Sequence, residues 1–447
     1  MSRKSRGGLY RGLLLEWGHK ASGTERERLW DTGTGGGERD GRGKAGNHNI
    51  MLRLTSLAAV GKDVTRLAKD IAAQARLLKP DALLWVSSSS LEPETIASAL
   101  SETCQACVGG VSRGGLIGGG FEYSISTSES RVVALALNGC AAIPFHSPPD
   151  GLPDLPEAAW TSFAAARTPA ESPHMLLLAS PPRDGAFALE RWLGRLDSTL
   201  PWAKKVGGLT VGDGRLFVGA TKHDGGAVGL ALPDVDFHAV VCQGALPIGP
   251  SFAISASEAN IIRSLDGKTV GDALGPELEA TMASGGDSIM AGISVPVRPA
   301  AAVSAPAAAA IDEGTTSPYV VRGVLGYSQA HSALIVGASP ELLQMPDARL
   351  QLHTFSANNA KRELRASAAA LARRAGKSPP LGGLYISCLG RGPALYGESD
   401  VESALLAAEL GRPLELAGLF AGGEIGPVGS RTFVHTFTTT MGLLSAR

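Results

Sequence analysis

Four residues near the C-terminus could do chemistry together: Cys388, Arg391, Glu424 and His435. They lie in Gly383-Leu-Tyr-Ile-Ser-Cys388-Leu-Gly-Arg391-Gly-Pro and, after a helical run, in Leu419-Phe-Ala-Gly422-Gly423-Glu424-Ile-Gly-Pro427. An arginine at a glycine turn offers a planar fork to a carboxylate, and Glu424 could take an ammonium group, so the set suits an amino acid. The plainer alternative is an Arg391–Glu424 pair that only fixes two turns. Cys388 could act as a nucleophile only with a base in reach, and His435 is the candidate. In α/β folds, strand ends with glycine turns such as Gly422-Gly423 are where ligands settle.

Other motifs carry less. Gly110-Val-Ser112-Arg113-Gly114 fits a nucleophile elbow, but that motif needs a helix after it and the residues that follow look strand-like. A glycine-rich ligand loop using Ser112 and Arg113, or a plain hairpin, is the reading. Gln243 and Asn260 could add neutral polar contacts or simply stabilise turns. Cys104-Gln-Ala-Cys107 lacks two further ligands for zinc and precedes a strand, so both cysteines read as core. Gly267-Lys268-Thr269 resembles the end of a phosphate loop, but Ile262 stands where the first glycine belongs. No metal site and no cofactor are expected.

The elements that must position these residues repeat. After a helix from Asp63 to Lys79, stopped by Pro80, comes Leu83–Ser87, a helix from Glu92 to Thr103, Val108-Gly-Gly110 and a strand Val132–Leu137. A second copy runs Met175–Ser180, helix Ala186 to Leu196, Val206-Gly-Gly208 and Ala227–Leu232. A third runs Leu384–Cys388, helix Val401 to Leu410, Ala421-Gly-Gly423 and Thr432–Phe437. Units of strand, helix, Gly-Gly turn and strand predict an α/β fold of two related halves, with mixed, buried sheets covered by helices. Residues 138–173, rich in proline, read as a long crossing loop, and 296–317 as an Ala/Pro low-complexity insertion.

Bulk properties narrow the classes. A net charge of −1 with 19% charged residues argues against nucleic-acid or membrane-surface partners, and no apolar run is long enough to span a bilayer. Five scattered cysteines form no disulfide framework, which suits a reducing compartment, expected to be the cytoplasm. Residues 1–50, rich in Gly, Arg and Lys, read as a disordered tail or a targeting segment, the latter implying an organelle.

The chain resembles FIST proteins. The N-terminal part carries the likeness in Val206-Gly-Gly208, Val228–Leu232, Val241-Cys-Gln243-Gly244 through Pro250, Asn260-Ile-Ile and Leu265–Lys268. The C-terminal part carries it in Val320-Val-Arg322 through Gly326, Ser387-Cys388-Leu-Gly-Arg391-Gly, Gly423-Glu424-Ile-Gly-Pro427 and His435-Thr-Phe-Thr438. The resemblance implies a FIST N-terminal domain over 51–250 and a FIST C-terminal domain over 251–447. It also implies a small-ligand-binding sensory module with no chemistry of its own, acting through a protein partner and sensing an amino acid or related metabolite. A second implied role is a substrate-recognition adaptor in ubiquitin-dependent degradation, although the chain has no F-box pattern. A third reading, from the motifs rather than the resemblance, is a hydrolase using Ser112 or Cys388. One departure is Thr354-Phe-Ser-Ala-Asn358-Asn, where the family commonly shows an Arg-Asp-Ala run.

Overall fold

The computed structural model describes residues 51–88, 92–123, 129–181, 186–275, 278, 288–295, 319–328 and 331–446. The chain divides into Met1–Asn49 and Ile50–Arg447, and every described residue belongs to the second unit. The readings of residues 1–50 and 296–317 fall outside the described residues.

Three units build most of the fold. Each supplies a parallel strand pair joined through a helix: Ala82–Ser87 with Ala106–Val111, His174–Ala179 with Lys205–Leu209, and Gly382–Cys388 with Glu415–Ala421. Each pair is flanked by an antiparallel strand later in the same unit: Ser130–Asn138, Ala227–Leu232 and Thr439–Ser445. The α/β class thus holds, as mixed sheets with covering helices.

The hairpin between the second and last strands of each unit leaves its own sheet. Leu116–Gly118 pairs with Glu415–Ala421, Glu424–Val428 pairs with Lys205–Leu209, and Leu216–Val218 pairs with Ala106–Val111. The first unit lends to the third, the third to the second and the second to the first. The exchange therefore closes on itself, giving three six-stranded sheets of the same strand order.

Alternation along these strands buries both faces. Leu84, Val86, Leu176, Leu178, Leu384 and Ile386 point from the three sheets into one shared core. The odd-facing residues meet helices: Leu83 and Trp85 meet Leu67, Ile71 and Ile96, Leu177 meets Trp192 and Leu193, and Tyr385 meets Leu364 and Leu406. The first helix, Val64–Leu78, shows how locally this is specified. Asp63 Oδ1 accepts from the Arg66 amide at 3.0 Å, a spaced stripe from Leu67 to Ala75 is buried, and Lys79 ends the helix at φ 47°.

Two expectations change in detail. The paired glycines of the first two units lie within strands, and their counterpart in the third unit is Gly418, which faces Tyr385 as Gly109 faces Trp85 and Gly207 faces Leu177. A Cβ on Gly418 would collide with the Tyr385 carbonyl oxygen. Gly422-Gly423 instead links two strands, and Arg431–His435 is a hairpin strand rather than the unit's closing strand. The proline-rich stretch also carries structure: an edge strand Ile143–Ser147, where Pro144 is tolerated, and a helix Glu157–Ala165.

Between the second and third units lies an antiparallel barrel. Its pairings run Ala245–Glu258, Arg349–Phe355, Ser288–Ser294, Tyr319–Ser328, Ala333–Val336 and Ile261–Leu265, which returns to Ala245–Glu258. Its interior holds Ile262, Leu334, Val336, Leu350 and Leu352.

Candidate functional site

The carboxyl ends of the three parallel pairs converge on a ring of loops. The Val211 amide donates to Ser112 Oγ at 3.1 Å and the Arg113 amide to Val211 O at 2.9 Å. The Gly422 amide donates to Leu209 O at 3.1 Å, and the Phe420 amide to Gly115 O at 3.1 Å. Ser88, Ser180 and Cys388 occupy corresponding places at the carboxyl end of the first strand of each unit.

At the third of these places the chemistry differs. Cys388 is half-buried and lies beside the Glu424 carboxyl, which is fully buried. Glu424 Oε2 accepts the Thr438 amide at 3.2 Å and the Cys388 thiol engages the carboxyl, while Oε1 makes no hydrogen bond of ordinary geometry among the described residues. Burial holds the Glu424 carboxyl well above the usual range. Burial, and then Glu424, push the Cys388 thiol up to about 11, so the thiol is protonated at neutral pH. Gly390 is closely packed here: a Cβ would lie 3.3 Å from the Phe437 ring, tighter than ordinary contact, and 3.9 Å from Cys388 Sγ. Phe437 has φ 56°, a left-handed conformation that bulky residues avoid, and with Leu389 it is one of the exposed large apolar side chains.

Arg391 is differently placed from the sequence expectation. Its Nε donates to Glu402 Oε1 at 2.7 Å, and Nη2 reaches the same oxygen and the Tyr396 hydroxyl. Nη1 donates to Phe437 O at 2.8 Å and Cys242 O at 3.5 Å. All five guanidinium donors are thus engaged, leaving no fork for a carboxylate. The ion pair is Arg391–Glu402, not Arg391–Glu424, because the helix Val401–Leu410 turns Glu402 onto its buried face with Leu406. Glu402 also accepts from Tyr385, Ser387, Tyr396 and Thr439 hydroxyls. Burial opposes its charge, but Arg391 and these donors outweigh it and hold the carboxyl below its usual range.

His435 stands opposite Glu424 in the antiparallel register. Its Nε2 meets Gly426 O at 3.0 Å and its Nδ1 has no hydrogen-bond partner among the described residues. Burial, and then the Arg322 charge, push it down to about 3, so the imidazole is neutral. Neither this imidazole nor the Glu424 carboxyl, which raises the thiol's pKa, activates Cys388 as a nucleophile.

A FIST N domain model matches residues 81–268, and a FIST C domain model matches residues 290–427. The chain belongs to the FIST family. Similar relatives include an uncharacterized protein of Mycobacterium tuberculosis, 28% identical over 412 residues that cover 88% of this chain and 99% of that protein. An uncharacterized protein of Mycobacterium bovis is 29% identical over 325 residues, covering 70% of this chain and 78% of that one.

The remaining residues singled out in this FIST chain disperse. Ser112 is buried, its Oγ takes backbone amides, and a turn and strand follow it, so the elbow geometry is not formed. Arg113 is exposed on the ring and lays its stem along Gly212. Gln243 bridges to the barrel, accepting the Val321 amide at 2.7 Å and donating to Tyr319 O at 2.8 Å. Asn260 closes a barrel turn against Val336. Gly422 and Gly423 exchange backbone hydrogen bonds with Leu209. Of the four C-terminal residues, Glu424 lies beside Cys388 and opposite His435, while Arg391, whose amide donates to Cys388 O at 2.9 Å, turns its guanidinium to Glu402.

Sequence reasoning missed Glu402 and Phe437. A charged residue on the apolar stripe of a helix was a signal for Glu402, whereas nothing in the sequence marks Phe437 for a left-handed backbone. Among the described residues no group of His, Cys, Asp and Glu side chains is arranged to hold a metal ion, and no helix is long and apolar enough to cross a membrane.

Proposed function

We propose that this FIST chain is a small-ligand-binding sensory module of a signalling system, which passes the bound state to a protein partner. The observation that carries the reading is Glu424: a fully buried carboxyl with one oxygen making no hydrogen bond of ordinary geometry among the described residues, beside a half-buried thiol at the carboxyl end of a parallel strand pair. A buried polar atom without a partner costs on the order of 1–3 kcal/mol, and a ligand that supplies the partner recovers that cost. Phe437, strained at φ 56°, lies in the loop next to Thr438 and close to Gly390, as strain does at sites that must rearrange. Family membership supports the signalling half of the reading.

The test is a thermal-shift screen of the full chain against amino acids, their neutral derivatives and related carboxylates, repeated with Glu424→Ala and Phe437→Ala. A ligand at 100 times its Kd stabilises by about 2.7 kcal/mol. The reading expects at least one such shift in the wild type and its loss in Glu424→Ala. A well-folded protein that responds to no compound overturns it.

A further inference from the structure

We infer that Cys104 and Cys107 are a redox-active dithiol, separate from the ligand reading, which closes to an intrachain disulfide by exchange with a low-molecular-weight disulfide. The sequence alone read both cysteines as core, and the structure bears this out only for Cys107. Cys107 lies in the strand Ala106–Val111, and its carbonyl accepts the Gly219 amide at 2.7 Å. Cys104 is half-buried in the turn between the helix Pro93–Ser101 and that strand, with a bend at Gln105. The bend brings the two thiols into hydrogen-bond contact at the edge of the cluster around Trp85. The fully buried Trp85 Nε1–H has no nitrogen or oxygen partner among the described residues and faces the Cys107 sulfur. Two sulfurs in contact, one partly exposed and one buried, suit thiol–disulfide exchange.

The protonation of the thiols agrees. The Cys107 thiol, donating to Cys104, holds it below the usual range, while the same contact and then burial hold Cys107 well above it. Burial pushes Cys140 and Cys388 up to about 11 and also raises Cys242. Cys104 is therefore the thiol of this chain best placed to ionise. Its thiolate attacks one sulfur of the reagent, forming a mixed disulfide and expelling one thiolate. Cys107 then loses its proton and attacks Cys104 Sγ, breaking the mixed disulfide and expelling the second thiolate. The two protons end on the two thiolates released, so two protein thiols are oxidised and one disulfide is reduced to two thiols. Closure moves the turn at Cys104 and leaves the paired strand in register.

The test incubates the full chain, reduced and freed of reductant, with oxidised glutathione. Remaining thiols are blocked with N-ethylmaleimide under denaturing conditions, and the peptides are read by mass spectrometry. In the wild type the peptide carrying both cysteines should lose two hydrogens and escape blocking, about tenfold or more faster than Cys140 or Cys388 takes up glutathione. Dithiothreitol should return both thiols. Cys107→Ser should instead trap a glutathione adduct on Cys104, while Cys104→Ser leaves Cys107 unmodified. Melting curves check that the variants fold, Cys107→Ala replaces a serine that does not, and the wild-type peptide decides the question if neither folds. Wild-type thiols that both stay open to blocking overturn the proposal, as does modification of Cys104 no faster than that of Cys388. A Cys104 adduct equally abundant in wild type and Cys107→Ser also overturns it, because Cys107 then resolves nothing.

Discussion

Arg391 and Glu402, eleven positions apart, meet as a buried ion pair in which Nε and Nη2 of the guanidinium both reach Glu402 Oε1. The pair ties the turn after Gly382–Cys388 to the helix Val401–Leu410, and through Phe437 O it also holds the loop carrying the strained phenylalanine. Arg391 thus shapes the candidate site from behind, without facing into it.

Breaking this pair should be costly. Arg391→Ala leaves Glu402 buried without its counter-charge, and the expected loss is about 3–5 kcal/mol. Arg391→Lys keeps a charge but not the fork, and should fall between wild type and alanine. Urea denaturation measures both. A loss below about 1 kcal/mol for alanine would mean that the hydroxyl donors alone satisfy Glu402.

The pH profile should carry two opposed slopes. Glu424 has a folded pKa raised above its unfolded value of 4.5, so its contribution is present below that value and is lost as pH rises toward the folded pKa. Glu424→Gln should therefore flatten the decline above about pH 4.5 and stabilise the protein at neutral pH. His435 is the reverse case: its pKa falls from 6.5 to about 3, so its contribution is present above 6.5 and is lost as pH falls toward 3. His435→Gln should flatten that acid limb. Each group contributes at most about 1.4 kcal/mol per pH unit, and chemical denaturation at a series of pH values separates them.

The hairpin exchange predicts that the two matched regions do not fold alone. A fragment of residues 50–268 lacks Glu424–His435, which completes the sheet around Lys205–Leu209, and Thr439–Ser445, which pairs with Asp236–Cys242. Separately expressed, 50–268 and 290–447 should give poorly dispersed amide spectra and no cooperative melting. Co-expressed, they should co-purify as a folded complex. A cooperative transition in 50–268 alone would show that the exchange is dispensable.

The sequence by itself determined the units and their helices. Leu67 to Ala75 at helical spacing, Asp63 before them and Pro80 after them bounded a helix almost to the residue, and apolar runs such as Ala227–Leu232 marked buried strands. These signals are local, set by backbone sterics and by which face must avoid water. The sequence also offered Cys388, Arg391, Glu424 and His435 as one set, but it was the fold that set Glu424 beside Cys388 and opposite His435. Tertiary structure decided the rest. Which sheet receives a hairpin depends on packing between units far apart in the chain, and no periodicity within Leu116–Gly118 or Glu424–Val428 encodes the partner strand. The choice of Glu402 over Glu424 as the partner of Arg391 was likewise settled by the rotation of one helix against one sheet. That choice left Glu424 fully buried with its carboxyl held well above the usual range, a property that follows from its distance to water rather than from its neighbours in sequence.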